Sequence, residues 1–206
     1  AMVAKMRNGG QSCIAANRFL VHEAVADSFA EKFAARMRAV KVGPGMDPGV
    51  DLGPLINESA QEDMAESVEL ATGAGGDVLA GGKAPDRPGF FFEPTVLAGV
   101  PADAEVLGRE IFGPVAPIVT FGSEEEAVAM ANDTIHGLAA YLYTGDLSRG
   151  LRVAEALESG MVGINRGLIS DPAAPFGGVK QSGIGREGGH EGMKEFLEIK
   201  YSAASW

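Results

Sequence analysis

Apolar side chains recur at every fourth position through Val25, Phe29, Phe33 and Met37. That spacing is one face of an amphipathic helix and predicts a helix over residues 23–40. A second helix is expected after Asn57, a residue type suited to capping a helix start, with Ala60, Met64, Val68 and Ala71 facing inward and Gly73 at its end. Between and after these lie short apolar runs bounded by glycine and proline, expected as strands over residues 18–22, 77–80, 115–121, 138–144 and 161–165. Residues 90–100 read as extended. Ser123 with Glu126 opens a third helix as a capping box, and residues 148–157 form a fourth. Strand and helix alternate, so the expected fold class is α/β, a parallel twisted sheet with helices on both faces.

The tail departs from this rhythm. Residues 172–192 are a glycine-rich loop, and residues 194–202 alternate Phe196, Ile199 and Tyr201 with Glu195, Glu198 and Lys200. A terminal strand with no following helix is expected to pair with another sheet, in this chain or in a second copy. The expected division is a catalytic domain over residues 1–192 and an oligomerisation strand over residues 193–206.

Composition narrows the function classes. The chain has 206 residues, 29 of them glycine, and a net charge of -11. An acidic surface with no clustered basic stripe argues against a nucleic-acid partner. The basic residues near the start, Lys5 and Arg7, are too sparse to alter that. No apolar run approaches the length of a membrane span, and no basic segment followed by an apolar one opens the chain. The expected setting is the cytoplasm, and no membrane partner is expected. The single cysteine, Cys13, excludes an internal disulfide and a multi-cysteine metal site. His22, His136 and His190 are scattered, so no metal site is expected. The string Gly183-Ile184-Gly185-Arg186-Glu187-Gly188 satisfies a GxGxxG pattern, but it follows a loop and only 18 residues remain beyond it. It is not read as a dinucleotide fingerprint.

Cys13 follows Asn8-Gly9-Gly10-Gln11-Ser12 and precedes Ala16-Asn17-Arg18. Small residues before a cysteine let the backbone approach a ligand and leave the sulfur accessible, as a nucleophilic thiolate requires. A lone cysteine is otherwise a small buried hydrophobe. Two further segments carry chemistry: Glu110-Ile111-Phe112-Gly113-Pro114-Val115, and Pro175-Phe176-Gly177-Gly178 with Lys180, Ser182-Gly183 and Gly185-Arg186-Glu187. Taken alone, Glu110 is a solvated loop carboxylate and Phe112 a core aromatic.

In order and spacing these three segments resemble the active-site segment, the cofactor-contact motif and the late active-site loop of the aldehyde dehydrogenase family, and the resemblance spans nearly the whole chain. It implies that Cys13 attacks the aldehyde carbon, that Glu110 holds the nicotinamide-side ribose, and that Phe112 packs beside the nicotinamide of NAD or NADP. Arg7 and Ser170 resemble the carboxylate-binding positions of succinate-semialdehyde dehydrogenases, and Phe176 would line the aldehyde passage. A planar guanidinium binds a carboxylate through two parallel hydrogen bonds, which suits a semialdehyde substrate. Glutarate semialdehyde satisfies the same groups with one more methylene, which a hydrophobic pocket distinguishes weakly. The resemblance places the cofactor-binding domain, an oxyanion-binding asparagine and a glutamate base upstream of the cysteine, outside this chain. The chain alone is therefore expected to be inactive, and a homo-oligomer is expected. Two other readings stand beside this one: a non-catalytic assembly module that keeps the fold, and a thiol esterase using the same nucleophile.

Overall fold

The computed structural model describes residues 1–206. Helix α1 (Met2–Met6) passes through a 3-10 turn (Arg7–Gly10) into the cysteine segment and then strand β1 (Phe19–His22). Helices α2 (Ala26–Arg38) and α3 (Glu58–Gly73) come next, followed by β2 (Asp77–Ala80), β3 (Thr95–Ala98) and β4 (Val115–Phe121). The remainder contains α4 (Glu124–Asn132), β5 (His136–Gly137), β6 (Ala139–Leu142), α5 (Leu147–Ala156), β7 (Met161–Ile164), β8 (Val179–Lys180) and α6 (Glu191–Lys194). No helix is long and apolar enough to cross a membrane.

The main sheet has the order β1-β4-β3-β2. Both β1 and β3 run parallel to β4, while β2 is an antiparallel edge strand. The expected α/β class holds, but the sheet is mixed rather than wholly parallel. The segment from β2 to β3 contains no helix to carry the chain back across the sheet, so it reverses direction instead. Nor is there one continuous sheet. Strands β6 and β7 form their own parallel pair, and β5 and β8 a short antiparallel one.

Helices cover both faces of the main sheet. Alternate residues of β4 divide between them: Ala116 and Ile118 pack with Phe33, Ala34 and Met37 of α2, and Val115 and Val119 with Met64, Val68 and Ala71 of α3. This is the period-two signature of a strand buried on both sides. Each fully buried Val, Ile, Phe or Met contributes about 1.5–3 kcal/mol. The inward face of α2 differs from the expected one. Val25 lies in a 3-10 turn before the helix and is mostly exposed, whereas Ala26, Ala30 and Ala34 are buried, their small side chains fitting the close packing on the sheet.

Helix α3 begins where expected, with the Asn57 side chain accepting from the Ala60 N–H. Ser123 likewise caps α4 by accepting from the Glu126 N–H, but the returning arm of the box reaches one residue further back, Glu126 accepting from the Gly122 N–H. Only residues 95–98 of the expected extended stretch form a strand, since Phe91 and Phe92 turn inward to the core just before it. The expected strand over residues 194–202 does not form in the single chain. Helix α6 ends at Lys194, and Phe196, Ile199 and Tyr201 beyond it are exposed and paired with no strand.

Candidate active site

Strands β1 and β4 are parallel neighbours, with Phe19 opposite Ile118. The segments leading into them therefore meet at the same edge of the sheet. One carries Cys13 and the other Glu110 to Pro114. The crossover from β3 to β4 makes this possible. It spans residues 99–114, packs Ala104, Val106 and Leu107 into the core beside α3, and returns to the amino end of β4.

The cysteine loop is held by its own polar groups. Asn8 and Gly9 take left-handed backbone conformations, φ 51° and 65°. The Asn8 side-chain amide donates to the Gln11 carbonyl at 2.8 Å, which offsets the strain of that conformation at a non-glycine residue. The Gln11 side chain in turn accepts from the Ile56 N–H at 3.0 Å. Gly10, at φ 82°, lies so close to the second loop that a β-carbon there would stand 2.1 Å from the Gly113 carbonyl oxygen. Gly113 is itself pressed against the Met64 sulfur. Space requires glycine at position 10, which lets the two loops touch backbone to backbone, and Gly113 leaves room for the Met64 side chain of α3.

Cys13 is free and exposed. It shares a cavity of about 890 Å³ with Glu110 and Phe112. All three residues line one cavity, on loops that touch at Gly10 and Gly113. Glu110 is exposed, and its neighbour Arg109 pairs with Glu66 and Glu105 instead, leaving the Glu110 carboxylate unclaimed by that cation. Phe112 is 42% exposed, unusual for a large apolar ring in a loop whose neighbour Ile111 is 2% exposed. An unclaimed carboxylate beside an open aromatic face suits a ligand with hydroxyls at one end and a flat ring at the other, as a nicotinamide riboside has.

The other expected residues are less tightly gathered. Arg7 is exposed at the start of the 3-10 turn, and its charge reaches the Tyr141 hydroxyl, as does Cys13. Ser170 and Phe176 are half-buried on the later loop, and neither lines the cavity that holds Cys13. That loop is joined to the rest through the β5–β8 pairing, where the Ser182 hydroxyl also accepts from the Gly137 N–H, and through Gly167. Gly167 touches α1 beside Val3 and Ala4. Phe176 exchanges backbone hydrogen bonds with Glu187 at 2.7 and 2.8 Å, a pair that closes the loop on itself. The glycines of the late motif serve close backbone packing: a β-carbon on Gly177 would stand 2.5 Å from the Gly185 carbonyl. The GxGxxG string is the turn between β8 and α6 and has no strand-to-helix setting.

Four residues around the site escaped the reading of the sequence. Lys5 is fully buried, with its Nζ 3.4 Å from the Ile111 carbonyl, and burial lowers its pKa to about 7. Asn17 grips the second loop, its side chain donating to the Arg109 carbonyl at 2.7 Å and accepting from the Ile111 N–H at 2.5 Å. Arg18 donates to the carbonyls of Met130, Ala131 and Asp133, which close the end of α4; burial lowers its pKa, with Asp133 acting the other way. Tyr141 on β6 donates to the Ile14 carbonyl at 2.8 Å, and burial, opposed by Arg7 and aided slightly by Tyr143 and Cys13, pushes its pKa up to about 12.

Residues 1–202 match the aldehyde dehydrogenase family. Over 201 residues the chain is 57% identical to a succinate-semialdehyde dehydrogenase of Paenarthrobacter nicotinovorans, covering 98% of this chain and 45% of that protein. It is 52% identical over 205 residues to a glutarate-semialdehyde dehydrogenase of Pseudomonas putida, covering all of this chain and 42% of that one. The crystal structure of succinate-semialdehyde dehydrogenase from Burkholderia pseudomallei superposes with a TM-score of 0.94 at 54% identity, over 97% of this chain and 41% of that chain. The chain thus spans less than half the length of the relatives it matches. The cysteine loop, the Glu110 loop and the glycine-rich late loop all lie within the matched residues, and the chain belongs to the aldehyde dehydrogenase family.

Proposed function

We propose that these residues form the thiol-bearing part of an NAD(P)-dependent dehydrogenase that oxidises succinate semialdehyde, or a similar carboxylate-bearing semialdehyde, to the acid. The support is the cavity shared by Cys13, Glu110 and Phe112, together with relatives named for succinate and glutarate semialdehydes. With 45% of a relative's length present, turnover is expected only when the chain is joined to the remainder.

In the proposed reaction the Cys13 thiolate attacks the aldehyde carbon, a carbon–sulfur bond forms, and the carbonyl electron pair moves to oxygen. The Cys13 backbone N–H donates to that oxyanion. Bound nicotinamide supplies the hydride acceptor. As the carbon loses hydride the carbonyl re-forms, leaving a thioester on Cys13. Water then adds and gives up one proton to solvent, the carbon–sulfur bond breaks, and the acid leaves with the thiolate restored. Glu110 accepts hydrogen bonds from the ribose hydroxyls and Phe112 packs beside the ring. Arg7 and Ser170 take the substrate's distal carboxylate, and Phe176 lines its passage. The exposed apolar side chains of residues 194–202 supply the proposed contact between copies in a homo-oligomer.

A chimera tests this: residues 1–206 replace the matching 45% of the Paenarthrobacter nicotinovorans relative. NADH or NADPH formation from succinate semialdehyde is expected, with loss of turnover in Cys13→Ser and a raised KM in Arg7→Met. An inactive but folded chimera overturns the reading, as does full activity in Cys13→Ser.

A further inference from the structure

The residue between Glu110 and Phe112 is held from every side. The Ile111 side chain is buried in the core cluster beneath α3. Its N–H donates to the Asn17 side chain at 2.5 Å, and its carbonyl accepts from the Lys5 amine at 3.4 Å. The other arm of the Asn17 amide fixes the Arg109 carbonyl, two residues before Ile111. Glu110 and Phe112 stand on either side of this anchored peptide, exposed toward the cavity. Both anchors belong to the stretch that carries the cysteine, eight residues before Cys13 and four after it.

We propose that Asn17 and Lys5 are positioning residues for hydride transfer, setting the place of Glu110 and Phe112 relative to Cys13. This rests on the dehydrogenase reading above. Asn17 is suited to the task because one planar amide offers an acceptor to an N–H and a donor to a carbonyl at the same time. Aspartate lacks the donor, and leucine lacks both. Lys5 has no acidic partner lowering the cost of its burial, which a surface-seeking lysine would avoid, so its place is set by what its amine reaches. In either protonation state that amine donates to the Ile111 carbonyl. The side-chain hydrogen bonds of both residues run to the Glu110 loop and not to the thiol, so their loss is expected to shift the cofactor-facing pair more than the nucleophile.

The test separates the two halves of the reaction. In the chimera, Asn17→Ala and Lys5→Met are expected to slow single-turnover hydride transfer by about ten- to a hundredfold, the effect of displacing reacting groups by about 1 Å. Alkylation of Cys13 by iodoacetamide is expected to stay at the wild-type rate. Hydrogen exchange on the 206-residue chain supplies a readout independent of turnover: the Ile111 amide is expected to exchange faster in Asn17→Ala by about tenfold or more, having lost its acceptor. Asn17→Asp decides the matter if Asn17→Ala fails to fold. It keeps size and acceptor, so Ile111 protection returns, but its carboxylate faces the Arg109 carbonyl and hydride transfer stays slow. Wild-type hydride transfer in Asn17→Asp and Lys5→Met overturns the proposal, and so does a parallel fall in Cys13 alkylation. A wild-type chimera with no turnover shows instead that the dehydrogenase reading has failed, and this proposal falls with it.

Discussion

Gly10 and Gly113 meet backbone to backbone, and a methyl group on Gly10 would stand 2.1 Å from the Gly113 carbonyl oxygen. This contact joins the loop of the thiol to the loop of Glu110 and Phe112. It exists because two segments feed parallel neighbouring strands at the same end. Site residues about a hundred positions apart are thus neighbours through the topology of the sheet.

Gly10→Ala adds a methyl group where the backbone sits at φ 82° and no space remains. The variant is expected to lose about 2–4 kcal/mol, combining overpacking with left-handed strain. Gly45→Ala, where no atom lies within 4 Å of the added carbon, is expected to change stability by less than about 0.5 kcal/mol. Urea unfolding midpoints measure both, and equal losses would show that the loops do not meet this way.

Lys5 gives the chain a pH dependence of defined sign. Burial lowers its pKa from 10.5 to about 7. Between those values the unfolded chain holds the proton and the folded chain does not, so stability rises with pH across this window. The slope from this group approaches about 1.4 kcal/mol per pH unit. Below pH 7 both states are protonated and the cost of burying the charge is fully present. Lys5→Met is expected to be more stable than wild type at pH 7, with the difference shrinking toward pH 10. Parallel stability curves for the two proteins would contradict this.

Tyr141→Phe removes the donor to the Ile14 carbonyl, next to the nucleophile. The expected loss is about 1–2 kcal/mol, the cost of leaving a buried acceptor unpaired. Tyr143→Phe, at a ring 57% exposed, is expected to be nearly neutral. Thermal unfolding of the two variants side by side distinguishes them.

The elements were largely legible because their signals are local. Asn57 caps α3, Ser123 caps α4, and alternate residues of β4 face opposite clusters, each following from residue type and period. The antiparallel edge β2 and the separate β6–β7 pair were not, since direction and pairing depend on where a connection runs. The same division holds at the site. Cys13, Glu110 and Phe112 belong to recognisable segments and share a cavity. Lys5 reads as a surface cation between apolar neighbours, and only the folded chain buries it. Asn17, Arg18 and Tyr141 act through backbone carbonyls and amides distant in sequence, which leave no mark on residue type or spacing. The terminal alternation at residues 194–202 is a strand signal with no partner inside one chain.

The central claim is that the Cys13 sulfur forms a bond to the substrate carbon. Acid quench of the chimera during turnover with succinate semialdehyde and NAD(P), followed by digestion and mass spectrometry, tests it most directly. A succinyl group on the peptide containing Cys13, absent from Cys13→Ser, is the predicted result. Full turnover with that peptide never acylated would contradict it.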